Sequence, residues 1–353
     1  MKNRQIAFFI LVSWMMMMAC AGTSSVSVQV LKPAEIHLPG VRTVAIVDFQ
    51  GPDRSGTQIA TLLQSYVLDT EHFDILERDK LRRIMEEQNL AMAGIVDEAT
   101  AVQVGRLLGV DALIFGEVST YEVEPDKRLI RKVKEKRKTG RYEIVQEKNE
   151  ETGEVQKVRK EIIEEVWVEK PYWVRKGTVG INFRVVDVET GRLLAAYSDS
   201  RSYDSQNERN SLFGGSSTSQ ENLKPHGEIL SSLSKTLCQA FARKIAPHHI
   251  TENRYIESGP GQIAEGAKFA RAGLWPEAME TWKAAVLENP EMPAVYYDLG
   301  LAYEMEGDFD TAEYYFKKAI EIKSTNRYLQ ALARIRKARE DAMELEEQMR
   351  DRE

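Results

Sequence analysis

The sequence predicts an α/β layered domain of the α+β kind, interrupted by a charged β-hairpin and followed by an all-α repeat domain. Three observations carry this. Short apolar runs alternate with amphipathic stretches through the first half. Residues 121–176 are a long insert dense in Lys, Arg and Glu, with two strand-like arms around a Glu151-Thr152-Gly153 turn. A set of small and aromatic residues then recurs at a spacing of 34.

Val44–Phe49 is a nearly continuous apolar run ending at Gly51-Pro52 and reads as a buried strand. Thr57–Leu68 places Ile59, Leu62, Leu63, Tyr66 and Val67 at helical spacing. Phe73–Leu76 is a second short strand. Asp79 is the expected N-cap of a helix carrying Leu81, Ile84, Met85 and Gln88. Asp97 caps a third helix that runs through Leu108 and stops at Gly109. Ala112–Val118 is an apolar strand, and two more apolar strands flank Glu189-Thr190-Gly191. Leu233–Ile245 closes the domain as a helix with Cys238 on its apolar side, so the thiol reads as buried and inert.

The stretches Val44–Phe49, Phe73–Arg78, Leu81–Gln88, Gly105–Ile114 and Gly180–Leu194 together resemble the curli assembly and transport component (CsgG) family, over roughly Val41–Tyr203. The resemblance implies an envelope protein that oligomerises. Channel members contribute β-hairpins to a shared outer-membrane barrel and narrow the pore with a loop after the first strand. Here that loop, Gln50–Gly56, has no aromatic. The hairpin at 121–176 has a two-strand core, Arg141–Asn149 and Glu154–Glu169, in which neither face stays apolar over the ~9–11 residues a membrane strand requires. Each Lys or Arg at mid-bilayer costs ~2–4 kcal/mol. The second hairpin position, 199–221, is Ser-rich with Gly214-Gly215 and reads as a flexible loop. A water-exposed arm is therefore expected, with Trp167, Tyr172 and Trp173 as a contact patch or as packing at its root. Some activators of cell-wall synthases share a related domain, which adds a third function class. Glu77-Arg78 reads as an exposed ion pair, not as catalytic machinery.

After Gly259-Pro260-Gly261, the residues Gly266, Phe269, Ala278, Trp282 and Ala285 recur as Gly300, Tyr303, Ala312, Phe316 and Ala319. Pro290 closes the first copy, and Tyr296 and Leu299 fall in register in the second. The period is that of tetratricopeptide repeats, placed at about 261–290 and 294–323 of a domain spanning 257–353. About three units make a stable stack, so Arg327–Arg350 is expected as a capping helix or a dimer contact. Such arrays bind proteins, and Tyr297, Asp298 and Glu304 are candidates for a groove or for ordinary surface.

At the N-terminus, Lys2 and Arg4 precede an apolar run from Ile6 to Met18, then Ala19 and Cys20. This resembles the lipobox of bacterial lipoproteins: residues 1–19 would be a signal peptide and Cys20 the acylated residue. With Ala21 after the cysteine, the resemblance implies the outer membrane, periplasmic side. Ala19-Cys20-Ala21 also fits cleavage to a soluble protein, and retention as an anchor is the third fate. Residues 20–40, with Pro33 and Pro39, read as a flexible tether and residues 41–250 as the α/β domain.

The net charge of -7 gives no reason to expect nucleic acid as a partner. Five histidines, of which only His248-His249 cluster, and the lack of P-loop, GxSxG or HExxH motifs predict no catalytic residue, metal or cofactor. The expected partners are other proteins, further copies of the chain, and a membrane through Cys20.

Overall fold

The computed structural model describes residues 24–87, 98–148, 155–208, 220–257 and 259–351. Cys20, the segment before it and Asp97 lie outside the described residues. The described chain divides into two compact units that interleave in sequence. One comprises Thr43–Asp69 and Asp74–Ala242. The other comprises the chain up to Arg42, Thr70–Phe73 and Arg243–Glu353.

In the first unit a five-stranded mixed sheet has the order β3-β2-β4-β7-β8. Its strands are β2 (Thr43–Ile46), β3 (Asp74–Ile75), β4 (Ala112–Val123), β7 (Lys176–Asp187) and β8 (Leu193–Asp204). β2 runs parallel to β3 and β4, and β4, β7 and β8 are antiparallel neighbours. Helices α1 (Ser55–Leu68), α2 (Arg78–Glu87) and α3 (Glu98–Leu108) follow the first strands, and α4 (His226–Ile245) follows the sheet. The alternation of the strands sorts the apolar side chains onto two faces. Ala45, Val47, Leu113, Phe115 and Val186 cluster with Leu81 of α2 and Val104 of α3. On the other face Phe183 stacks on Phe241 of α4 with centroids 4.3 Å apart. Cys238 is fully buried there, and burial pushes its thiol up to about 12. α3 stops at Gly109, whose N–H returns to the Gly105 carbonyl at 2.9 Å.

Between β4 and β7 stands a two-stranded antiparallel ribbon, β5 (Lys127–Lys148) with β6 (Val155–Val174). It is longer than the expected core because the pairing continues down to Lys127–Val174. Its root is braced by the buried Arg175, whose Nε and Nη2 donate to the two carboxylate oxygens of Asp126 at 2.7 Å each. The guanidinium hydrogen bond holds the Asp126 carboxyl below the usual range.

The second unit starts from a strand the sequence did not suggest. Residues 24–32, expected within a flexible tether, form β1 (Ser24–Lys32), which pairs along nine positions with β9 (His248–Ile256). β1 alternates as Val26, Val28, Val30 against Ser25, Ser27, Gln29. Val28 is buried and Val26 packs on the helical core. The small polar start and two prolines concealed this period-two pattern. The 199–221 segment differs likewise: residues through Asp204 complete β8, and Ser205–Glu208 form one helical turn. Antiparallel partnership with β7 overrides the weak strand preference of its serines. Asp79 sits inside α2, which begins at Arg78, rather than ahead of it.

The helices of the second unit are α5 (Gln262–Arg271), α6 (Trp275–Glu288), α7 (Pro293–Met305), α8 (Phe309–Ile322) and α9 (Asn326–Arg350). Tight turns between α5 and α6 and between α7 and α8 use Gly273 and Gly307, at φ of +79° and +78°, where a side chain would be strained. Asp308 caps α8 through the Thr311 N–H, and Thr325 caps α9 through the Tyr328 N–H. Ala278, Trp282, Ala285, Ala312, Phe316 and Ala319 have essentially no exposed surface. A Cβ on Gly266 would lie 2.4 Å from the Trp282 ring nitrogen, and one on Gly300 2.6 Å from the Phe316 ring. Trp282 cannot easily move, since its ring N–H donates to the Ile263 carbonyl at 3.1 Å.

Gly266→Ala therefore sets a helix-propensity gain of up to ~1 kcal/mol against an overpacking cost of ~1–3 kcal/mol. The expected outcome is net destabilisation, read by denaturant titration, with partial relief when Trp282→Phe is added. A more stable single variant would contradict the close-packing account.

Candidate protein-interaction surfaces

The array core draws on every helix of the second unit. Tyr328, Ala331 and Ile335 of α9 join Trp282, Leu299 and Phe316, so the terminal helix covers the second repeat. Phe269 and Tyr296 pack against the same core, and Tyr303 stacks on Tyr315 at 5.3 Å. Pro290 is exposed in the turn after α6. α9 also continues past the array. Gln348 is buried and bonds both ways with Ala34, at 2.8 and 3.0 Å, and Lys32 reaches Asp341 at 3.0 Å.

Tyr297 and Asp298 are neither groove nor ordinary surface, whereas Glu304 lies at the bottom of a cavity. All three are buried. Tyr297 stacks on Tyr328 at 4.9 Å. Asp298 accepts the Glu257 N–H at 2.9 Å through Oδ1, while its Oδ2 has no hydrogen-bond partner among the described residues. Burial holds this carboxyl well above the ordinary aspartate range. Glu304 lies between two arginines: Arg254 of β9 donates from Nε at 2.9 Å, and Arg334 of α9 donates from Nε and Nη2 at 3.0 and 2.7 Å. Arg254 also bonds Glu252 at 2.7 Å. Helical periodicity placed these residues on α7 correctly. It could not show that β9 and α9 would close over them.

The Glu304 cluster floors a cavity of about 230 Å³ whose walls include Val30, Met305, Phe309 and Leu345. Outside it, Glu313 of α8 accepts from Lys317, Arg336 and Arg339, and the Lys317 bond first of all draws its carboxyl down to about 2. In the first unit a hollow of about 330 Å³ lies on the sheet beside Phe115, Glu117, Asn182, Arg184 and Ser198. β8, at the sheet edge, has no ladder partner on its outer side among the described residues. His248 and His249 occupy adjacent positions of β9, so their rings point to opposite faces. Burial lowers the pKa of His248. Among the described residues no group of His, Cys, Asp or Glu is placed to hold a metal ion, and no helix is long and apolar enough to cross a membrane.

Glu304→Ala leaves two arginines facing each other, Arg254 being buried. A loss of about 3–5 kcal/mol is expected in chemical denaturation of this unit, and Glu304→Gln should lose less. An unchanged midpoint for Glu304→Ala would remove the cluster from the stability of the unit.

The two acids titrate with opposite sign. The raised Asp298 stabilises fully below its ordinary value of 3.8, and that contribution is lost as pH rises toward the folded value. The depressed Glu313 stabilises fully above 4.5, and that contribution is lost as pH falls toward about 2. In thermal melts against pH, Asp298→Asn should gain on the wild type as pH rises from 4 to neutrality, whereas Glu313→Gln should lose stability at neutral pH and converge on the wild type in acid. Parallel profiles for both variants would contradict these assignments.

Comparison with known proteins places these units. Residues 44–127 match the curli production assembly/transport component CsgG, and residues 293–326 match the tetratricopeptide repeat. Comparison with curated proteins gives no match. Among solved structures, the PelC dodecamer from Paraburkholderia phytofirmans aligns at 14% identity over 62% of this chain and 98% of that one, TM-score 0.28. Lipoprotein GNA1162 from Neisseria meningitidis aligns at 14% identity over 57% and 98%, TM-score 0.31. The LpoB C-terminal domain from Salmonella enterica aligns at 7% over 48% and 87%, TM-score 0.26. Superposition at that level is too loose to transfer geometry. The chain thus joins a CsgG-type α/β segment to a C-terminal tetratricopeptide repeat.

Proposed function

We propose that this protein is an outer-membrane-anchored lipoprotein, facing the periplasm, that acts as an assembly or secretion scaffold of the cell envelope. The observation that carries this reading is the presence of both matched modules in one chain. The lipid on Cys20 sets location, the CsgG-type unit assembles with further copies, and the repeats select a protein partner. The open outer edge of β8, twelve residues long, is compatible with a second chain adding a strand. In this reading binding, not catalysis, is the activity, and neither nucleic acid nor a cofactor takes part.

Cys20→Ser should abolish palmitate labelling and release the protein from membranes. Labelling that persists would remove the lipid tether. Crosslinking the full chain in living cells, followed by identification of what residues 261–353 capture, tests the scaffold. A ring that conducts ions in liposomes would replace it with an export channel.

A further inference from the structure

The ribbon β5–β6 has two unlike faces. The register pairs Arg128 with Trp173, Lys132 with Glu169, Lys134 with Trp167, Lys136 with Glu165 and Lys138 with Ile163, and every second residue points the same way. Followed along β6 past the irregularity at Lys138/Tyr142, that face continues through Tyr142, Ile144, Lys157 and Arg159. It carries seven Lys or Arg against three Glu, namely Glu161, Glu165 and Glu169, among side chains that are described. The opposite face is close to balance, five against four: Lys127, Arg131, Arg137, Lys160 and Lys170 face Glu135, Glu143, Glu147 and Glu164. Most of the excess positive charge is on one side.

Most of the exposed apolar surface is on that same side, Leu129 on the other face being 39% exposed. Ile130, Tyr142, Ile144, Ile163 and Trp167 are 67, 50, 73, 54 and 64% exposed. On the opposite face Val133, Val145, Val158, Val166 and Val168 are half buried by their neighbours. Lys134 lies 5.4 Å over the Trp167 ring and Arg159 4.2 Å over that of Tyr142, so cations and aromatics form one surface.

We propose that this face of the ribbon lies on an anionic lipid surface, with its Ile, Trp and Tyr side chains entering the headgroup boundary and its Lys ammonium groups among lipid phosphates. Three features select this occupant. Lysine outnumbers arginine five to two on the face; protein interfaces are depleted in Lys, and phosphate recognition in nucleic acid favours the Arg fork. Long Lys stems let the charge reach up to phosphate while the ribbon sits lower. Exposed isoleucines have no counterpart on a nucleic acid, whereas an interfacial element uses such aliphatics together with Trp and Lys. The ribbon does not pierce the bilayer, because both faces carry cations along their length. The Asp126–Arg175 brace fixes the direction in which the arm leaves the sheet.

The test places the full chain in phosphatidylcholine vesicles with and without phosphatidylglycerol and reads Trp167 emission as the difference between wild type and Trp167→Phe. Any N-terminal anchor operates in both vesicle types and cancels. The expected result is a blue shift only with phosphatidylglycerol, lost at high ionic strength. It should also be lost in Lys132→Glu/Lys134→Glu/Lys136→Glu, since each removed cation weakens the contact about fivefold. Far-UV circular dichroism controls for the fold of that variant. An equal shift in both vesicle types indicates insertion and overturns the proposal, as does a shift retained by the charge-reversed variant. No shift with phosphatidylglycerol, but a response to an oligonucleotide or to polyglutamate, overturns it in favour of a soluble polyanion.

Discussion

Glu304 is the residue on which the second unit turns. A carboxylate on α7 has no reason to be buried unless its charge is met, and a lone buried carboxylate would cost several kcal/mol. Arg254 and Arg334 meet it from a strand and from the terminal helix. That requirement ties β9, α7 and α9 into one arrangement. Through the β1–β9 ladder it also sets the place of the first described residues of the chain. A buried ion pair contributes little net stability compared with apolar packing, but it disfavours alternative packings of the same elements. The apolar contacts then operate within that frame, with Trp282 against Gly266 and Phe316 against Gly300.

The same logic explains why two helical pairs are enough. An isolated pair of helical repeats leaves apolar faces uncovered. Here α9 covers one side through Tyr328, Ala331 and Ile335, and Ile256 and Val26 of the β1–β9 ladder add to the same core. The stack is completed by non-repeat elements from both ends of the described chain. A binding surface on this unit therefore includes strand residues such as Val30 as well as helix residues.

In the first unit, the balance of charge shows how an average misleads. A net charge of -7 describes the whole chain, yet one face of the β5–β6 ribbon is distinctly cationic. Fields act over about a Debye length of 8–10 Å, so a partner senses the face it meets and not the sum. A long two-stranded ribbon is marginal alone in water. The Asp126–Arg175 pair and the continuation of the flanking chain into β4 and β7 anchor it at its root.

Periodicity in the sequence determined the repeat helices, the sheet strands of the α/β unit and the existence of a charged hairpin, because each depends on residues close in the chain. The 34-residue spacing named the positions whose small side chains admit Trp282 and Phe316 before any packing was seen. Tertiary structure alone decided that residues 24–32 are a strand, since their partner β9 lies more than 200 residues away and neither is convincing by itself. It alone decided that Tyr297, Asp298 and Glu304 are buried, since the elements that cover them come from elsewhere in the chain. It also decided which side of the ribbon gathers the cations, because a strand's alternation leaves the faces of its partner undefined until the register is set. Local pattern specifies elements; burial, ion pairing and register are properties of partners distant in sequence.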